Sequence, residues 1–201
     1  MNHPNLTDNT TPKVTGHVLI KDKTTNEILL DKYNAIHYEN FSVALARSLA
    51  YQRDGTIQWM VFGNGGAIIN GVGEITYFPP NVIGAGAELY SETYSQVIND
   101  QDLVANLDPI NNFIIINHIN GLTYSDVIVT CTLGYGQPAG QQAFDNSVVT
   151  NGEYTFNELG LKTYNTTEAT GSLISHVIFN PIQKALNRII EVVYTIRISM
   201  V

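Results

Sequence analysis

Asn112-Phe-Ile-Ile-Ile-Asn-His-Ile119, then Asn120-Gly121, then Leu122-Thr-Tyr-Ser-Asp-Val-Ile-Val-Thr-Cys-Thr-Leu133 is the stretch that decides the fold class. Two β-rich runs flank an Asn-Gly pair, which supplies the positive φ angles of a type I′ turn, so the stretch predicts a β-hairpin. On its C-terminal side, Gly134–Ser147 reads as a long loop. Strands are predicted over Tyr154–Lys162 and Ser172–Phe179, with a turn through Asn165–Gly171 and a break at Pro181. The last strand, Arg188–Ser199, is heavily β-branched: Ile189, Ile190, Val192, Val193, Thr195, Ile196 and Ile198.

On the N-terminal side, Leu89–Ile98 fits a short helix and an irregular strand about equally well. Glu74–Phe78 reads as a strand stopped by Pro79-Pro80, and Ile57–Phe62 as a buried strand cut by Gly63-Asn-Gly-Gly66. Further back, Asn40 is positioned to cap the one convincing helix. Phe41, Ala44, Leu45, Ser48 and Leu49 then fall on one face, and the helix stops near Arg53–Gly55. Gly16–Asp31 reads as a hairpin, and Met1–Lys13 as a flexible or partner-ordered arm. The expected architecture is mainly β: a single sandwich-like domain of about eight strands with one N-terminal amphipathic helix and a protruding N-terminal arm and hairpin. Three parts are expected: an arm over 1–15, a hairpin and helix over 16–53 serving as a docking element, and a β domain over 54–201.

The chain has 201 residues, 44% apolar and only 14% charged, which excludes a disordered solvating chain and a charge-laced coiled coil. A single cysteine, Cys131, makes neither an internal disulfide nor a four-cysteine zinc site. No apolar run reaches the ~20 residues that span a bilayer, and the polar N-terminus lacks a signal-peptide core. The net charge of −8 argues against nucleic acid as a partner. Its distribution is uneven: residues 1–53 carry a net +1, residues 162–201 a net +2, and residues 54–161 eleven carboxylates without one Lys or Arg. Asp100, Asp102 and Asp108 in this stretch are the candidate partner contacts, facing a basic protein surface. A bound cation is the runner-up explanation.

Enzyme chemistry finds little support. After Gly63-Asn-Gly-Gly66, a dinucleotide fingerprint needs glycine where Ile68 stands, and no lysine is near enough for a phosphate-binding loop. Asp100-Gln-Asp102 begins like a calcium loop, but Val104 stands where the next ligand belongs. The five histidines show no i, i+4 pair for zinc. Cys131 sits in a strand pattern as a small hydrophobe. Glu153 and Glu158, five residues apart on a strand, face opposite sides and cannot work as a glycosidase pair. No catalytic residue, cofactor or metal is expected. Glu158, between aromatics on a half-buried face shared by Tyr154, Phe156 and Glu158, needs a backbone N–H or a cation. It is read as a structural acceptor pinning a neighbouring turn, with the glycine turn at 63–66 the candidate.

Several of these segments together form a recognisable pattern. Val61-Phe62-Gly63-Asn64-Gly65, followed by Gly66, is a strand ending in a Gly-rich turn. Leu89–Ile98 is a Leu-Tyr segment. Tyr154-Thr-Phe156-Asn-Glu158-Leu-Gly160-Leu161 is an aromatic-x-aromatic-x-Glu-hydrophobic-Gly-Leu signature. Gly171–Ile174 and Pro181–Lys184 complete it. In these features, over residues 57–199, the chain resembles the N-terminal attachment domain of bacteriophage tail-collar fibre proteins. Fibre proteins continue into a shaft, whereas this sequence stops at Val201 after its last strand. The resemblance therefore implies a shaftless virion structural protein, an adaptor at the neck, collar or baseplate. Such a protein would be homo-oligomeric, would dock to other phage virion proteins, and would be found in the virion after assembly in the host cytoplasm. The alternative is a short tail-tip module binding a host surface or carbohydrate, which the eleven tyrosines keep open.

Overall fold

The β-branched runs pair both with sequence neighbours and with strands far along the chain. In the computed structural model of the chain, which describes residues 11–99, 106–139, 155–165 and 170–200, the strands are β1 (Pro12–Asp22), β2 (Ile28–Ile36), β3 (Ile57–Gly63), β4 (Ala67–Ile69), β5 (Ile75–Tyr77), β6 (Glu92–Val97), β7 (Phe113–Asn117), β8 (Tyr124–Leu133), β9 (Thr155–Thr163), β10 (Leu173–Gln183) and β11 (Ile190–Met200). The protein is mainly β, with one α-helix among the described residues, α1 (Tyr38–Leu49). Nine strands form one antiparallel sheet in the order β6-β3-β9-β10-β2-β1-β11-β8-β7, while among the described residues β4 and β5 pair only with each other.

Between β2 and β10 the ladder shrinks to two pairs, Ser175↔Ile36 and His176↔Ala35. There the sheet curls, and both halves send side chains into one core. Val18, Ile20, Val192, Tyr194 and Ile196 come from one half, and Met60, Phe62, Leu159, Leu161 and Val177 from the other. Strict alternation on β1, where Val18 and Ile20 are buried and His17 and Leu19 half-buried, marks a strand with one face inward. β9 is buried along nearly its whole length, because residues 79–91 cover its other face.

The N-terminal hairpin differs from its expected place. β1 pairs with β11 over eleven residues and with β2 on its other side, so both strands lie in the middle of the sheet. Burying two aliphatic side chains such as Val18 and Ile20 stabilises by roughly 3–6 kcal/mol. Residues 16–36 therefore belong to the domain and do not protrude from it. The proposed arm falls largely on residues 1–10, outside the described residues.

Local expectations shift in three further places. His37, not Asn40, caps α1 by accepting the Asn40 amide through Nδ1 at 3.2 Å, and buried Asn40 instead donates its side-chain N–H to the Leu173 carbonyl at 2.8 Å. Leu49, expected on the packed face, is 82% exposed. The Asn120-Gly121 loop is longer than a two-residue turn, since the ladder closes at Asn117↔Asp126. Only Gly121 takes a positive φ, +91°, with Leu122 N–H donating to the Ile119 carbonyl, the signature of a type II turn. β10 continues through Pro181, which sits where the register shifts between Ile178 and Ile182, so its missing N–H leaves no gap in the ladder.

Candidate functional site

On β9, Glu158, Gly160 and Lys162 alternate on the face turned away from the main core. Glu158 is paired in register with Gly63, the last residue of β3, and with Ile178 of β10. Oε1 accepts the Gly65 amide at 2.9 Å and the Ser91 amide at 2.8 Å. Oε2 accepts the Tyr90 amide at 2.9 Å and meets His176 Nε2 at 3.1 Å. One carboxylate thereby joins the glycine turn to the covering segment 79–91 and to β10. Next to it, Asn157 Oδ1 accepts the Gly66 amide at 2.9 Å.

The geometry also assigns the imidazole tautomer. Asn81 N–H donates to His176 Nδ1 at 2.8 Å, so Nδ1 is the acceptor and Nε2–H donates to Glu158. Glu158 and His176 are both wholly buried. Burial alone would raise the Glu158 carboxyl. The His176 bond and the amides of Ser91, Tyr90 and Gly65 outweigh it, holding the group below the usual carboxylate range. At the other end of the stripe, Lys162 Nζ binds Glu88 and, at 2.8 Å, Glu92. Burial pushes the Glu92 carboxyl up against the opposing pull of Lys162. Tyr90 completes the cover: its ring lies 5.0 Å from Phe78 and 5.8 Å from His176, and its hydroxyl donates to the Pro79 carbonyl.

The glycines serve close approach here, not backbone freedom. A Cβ on Gly63 would stand 2.4 Å from the Ser91 carbonyl oxygen and 2.6 Å from Glu158 Oε1, and one on Gly65 2.7 Å from the Ser91 amide nitrogen. Gly160 would place one 2.8 Å from the Ser175 carbonyl oxygen. Gly63, Gly65, Gly66 and Glu158 thus meet in one construction, with Gly160 next along the β9 stripe and Phe62 turned into the core. Phe156 does not share the Glu158 face, as alternation predicts, but stacks on Phe62 at 5.0 Å within the core. The register shift opposite it, where β10 carries extra residues, lets the chain change face. Tyr154 lies outside the described residues, as do Asp100 and Asp102.

With four donors on its two oxygens and no access to solvent, Glu158 has no lone pair left for a substrate proton or a cation. The 340 Å³ depression nearby, lined by Tyr77, Phe78, Pro80 and Ile178 among others, is not lined by Glu158 or His176. The arrangement acts as a clamp. Cys131 is fully buried in β8, and burial pushes its thiol up. Among the described residues no group of three metal-ligating side chains converges.

Much of the acidic stretch meets its counter-groups inside the chain. Arg47 reaches Asp54, Lys162 takes Glu88 and Glu92, Arg197 holds Asp126, and His176 faces Glu158. All of these basic groups come from outside residues 54–161. Asp108 accepts from the Asn111 side-chain amide at 3.0 and 3.1 Å, within a turn whose Asn111 and Asn112 amides donate to the Asp108 carbonyl. Sequence reasoning missed His176, Asn81, Lys162 and Asn157 as partners in the clamp. Lys162 could have been found, because it follows Glu158 at even spacing on a strand. His176 could not, since the β9–β10 register sets its place.

No protein-family model, curated protein or solved structure matches this chain.

Proposed function

We propose that the chain is a non-catalytic assembly protein of a tailed-phage virion. In this reading it is an adaptor at the neck, collar or baseplate that self-associates and docks to other virion proteins. The observation that carries the assembly role is the β4–β5 ribbon. Among the described residues its two short strands join no other strand, and Ile68, Ile69, Val72 and Ile75 are between 47% and 82% exposed. A lone two-stranded ribbon is marginal in water, and contiguous exposed apolar surface marks protein contacts. The clamp supports the same reading, because it anchors the root of the ribbon through Gly65 and Gly66. Edge strand β7, with Ile115 and Ile116 exposed and no charged residue, is a second surface suited to a neighbouring copy.

The virion setting rests on the tail-collar resemblance of the glycine turn and the Glu-Leu-Gly-Leu segment. Neither nucleic acid nor membrane is among the proposed partners. The test is a particle: purified virions from a phage that encodes the chain should contain it at fixed stoichiometry. A virion reconstruction should show the ribbon covered by a neighbour. Absence from particles, or a ribbon open to solvent in the assembled virion, would contradict the proposal.

A further inference from the structure

The outer face of the β2-β1-β11-β8 half carries a group of side chains that neither the core nor the clamp uses. The registers His17↔Tyr33 and His17↔Thr195 set Tyr33, His17 and Thr195 in one lateral row. Thr15↔Arg197 and Arg197↔Asp126 set Thr15, Arg197 and Asp126 in the next. Between the rows lies a depression of about 270 Å³ lined by Thr15, His17, Tyr33, Thr195 and Arg197. That is slightly below the roughly 300–1,000 Å³ of sites for drug-sized ligands, a scale suited to a single sugar ring.

Its side chains are held in place before any ligand arrives. Arg197 donates from Nε and Nη2 to the two oxygens of Asp126 at 2.8 and 2.9 Å, and its guanidinium lies 4.0 Å over the Tyr124 ring. His17 Nε2 meets Asp31 Oδ1 at 2.6 Å, and the His17 ring stands edge-on to Tyr33 at 5.2 Å. Tyr33 itself is 76% exposed and also lines two adjoining depressions, of about 340 and 420 Å³. An aromatic so exposed gains little from burial in the free protein, whereas a ligand stacked on it removes apolar area from water at small ordering cost.

We propose that this depression binds a neutral saccharide, its ring stacked on Tyr33 and its hydroxyls bonded to Arg197, Asp31 and the two threonines. Neutrality follows from the pairing, since Arg197 is matched by Asp126 and the carboxylate of Asp31 lies beside His17, so the depression offers no unmatched guanidinium to select an anion. The polar side chains supply both donors and acceptors, as vicinal hydroxyls require. Ring and polar groups converge from β1, β2 and β11, on the rigid centre of the sheet. The inference does not rest on the assembly reading, because an adaptor and a tail-tip module can carry such a site alike.

The test uses the full chain on a printed array of neutral and acidic oligosaccharides, with titration calorimetry on the best neutral probe. Binding should favour neutral probes. Tyr33→Ala should weaken it at least tenfold, Tyr33→Phe should retain it, and Tyr51→Ala, at a residue 98% exposed after α1, should leave it unchanged. No binding on the array, preference for acidic probes, or binding indifferent to Tyr33→Ala in a folded variant would overturn the inference.

Discussion

Two hairpins have opposite fates in this protein. β1–β2 (Pro12–Ile36) lies mid-sheet, bonded to β11 on one side and β10 on the other, with Val18 and Ile20 in the core. β4–β5 (Ala67–Tyr77) pairs only with itself, and its aliphatic residues face solvent. Local strand propensity says little about which of two hairpins a fold depends on. Available partner edges decide, and β11, with seven β-branched residues near it, provides one for β1. The ribbon has no such partner, but its root is tied down by Glu158. One hairpin therefore serves stability and the other, on the proposed reading, contact.

The sharpest break of this contrast is deletion of residues 1–34. Removing β1 and most of β2 takes out central strands and exposes both neighbouring edges. The expected outcome is loss of cooperative unfolding by calorimetry or urea titration. A folded truncation would return the hairpin to the status of an appendage.

The next largest effect belongs to the clamp. Glu158→Ala leaves three part-buried amides and a buried imidazole N–H without an acceptor, and should cost about 3–5 kcal/mol in urea unfolding. Its pH dependence follows from the lowered carboxyl. The unfolded chain binds the proton more readily, so this stabilisation is complete above the unfolded value of about 4.3. It is lost as pH falls through the lower folded value. Asp22, bonded by Arg188, and Asp126, bonded by Arg197, are lowered in the same sense. A Glu158→Gln variant should therefore show a shallower fall of stability below about pH 4 than the parent, not a flat one. Equal slopes would show that Glu158 is not held ionised.

Gly65→Ala comes third. Its Cβ meets backbone of Ser91, which cannot swing aside, so a loss of about 1–3 kcal/mol is expected. Smallest is replacement of residues 68–76 by a Gly-Ser linker. The ribbon contributes nothing to the core clusters, and the change should stay within about 1 kcal/mol in unfolding. On the assembly proposal the same variant should fail to enter particles. Incorporation at the parental level would separate the ribbon from any docking role.

The sequence already carried the β class, the single helix, most strand positions within a few residues and the pairing of Glu158 with a turn. These are local signals: β-branched runs, helical spacing over Phe41–Leu49, and a buried acid that needs N–H donors. What was hidden is long-range. Nothing local in Gly16–Asp31 reveals that β11, some 170 residues away, is its partner, and β4 escaped because Ala67–Ile69 is too short to signal a strand. The pairing within the acidic stretch was hidden for the same reason. Read linearly the stretch lacks cations, but the fold brings Arg47, Lys162 and Arg197 to four of its carboxylates.

Native-state amide exchange tests the clamp most directly, because Gly65, Tyr90 and Ser91 lie outside the strands and donate to a side chain. Their amides should exchange about as slowly as those of β9 and β10, and should lose that protection in Glu158→Ala while Val18 and Val192 amides keep more of theirs. Exchange at Gly65, Tyr90 and Ser91 as fast as at exposed Val72 in the parent protein would contradict the account.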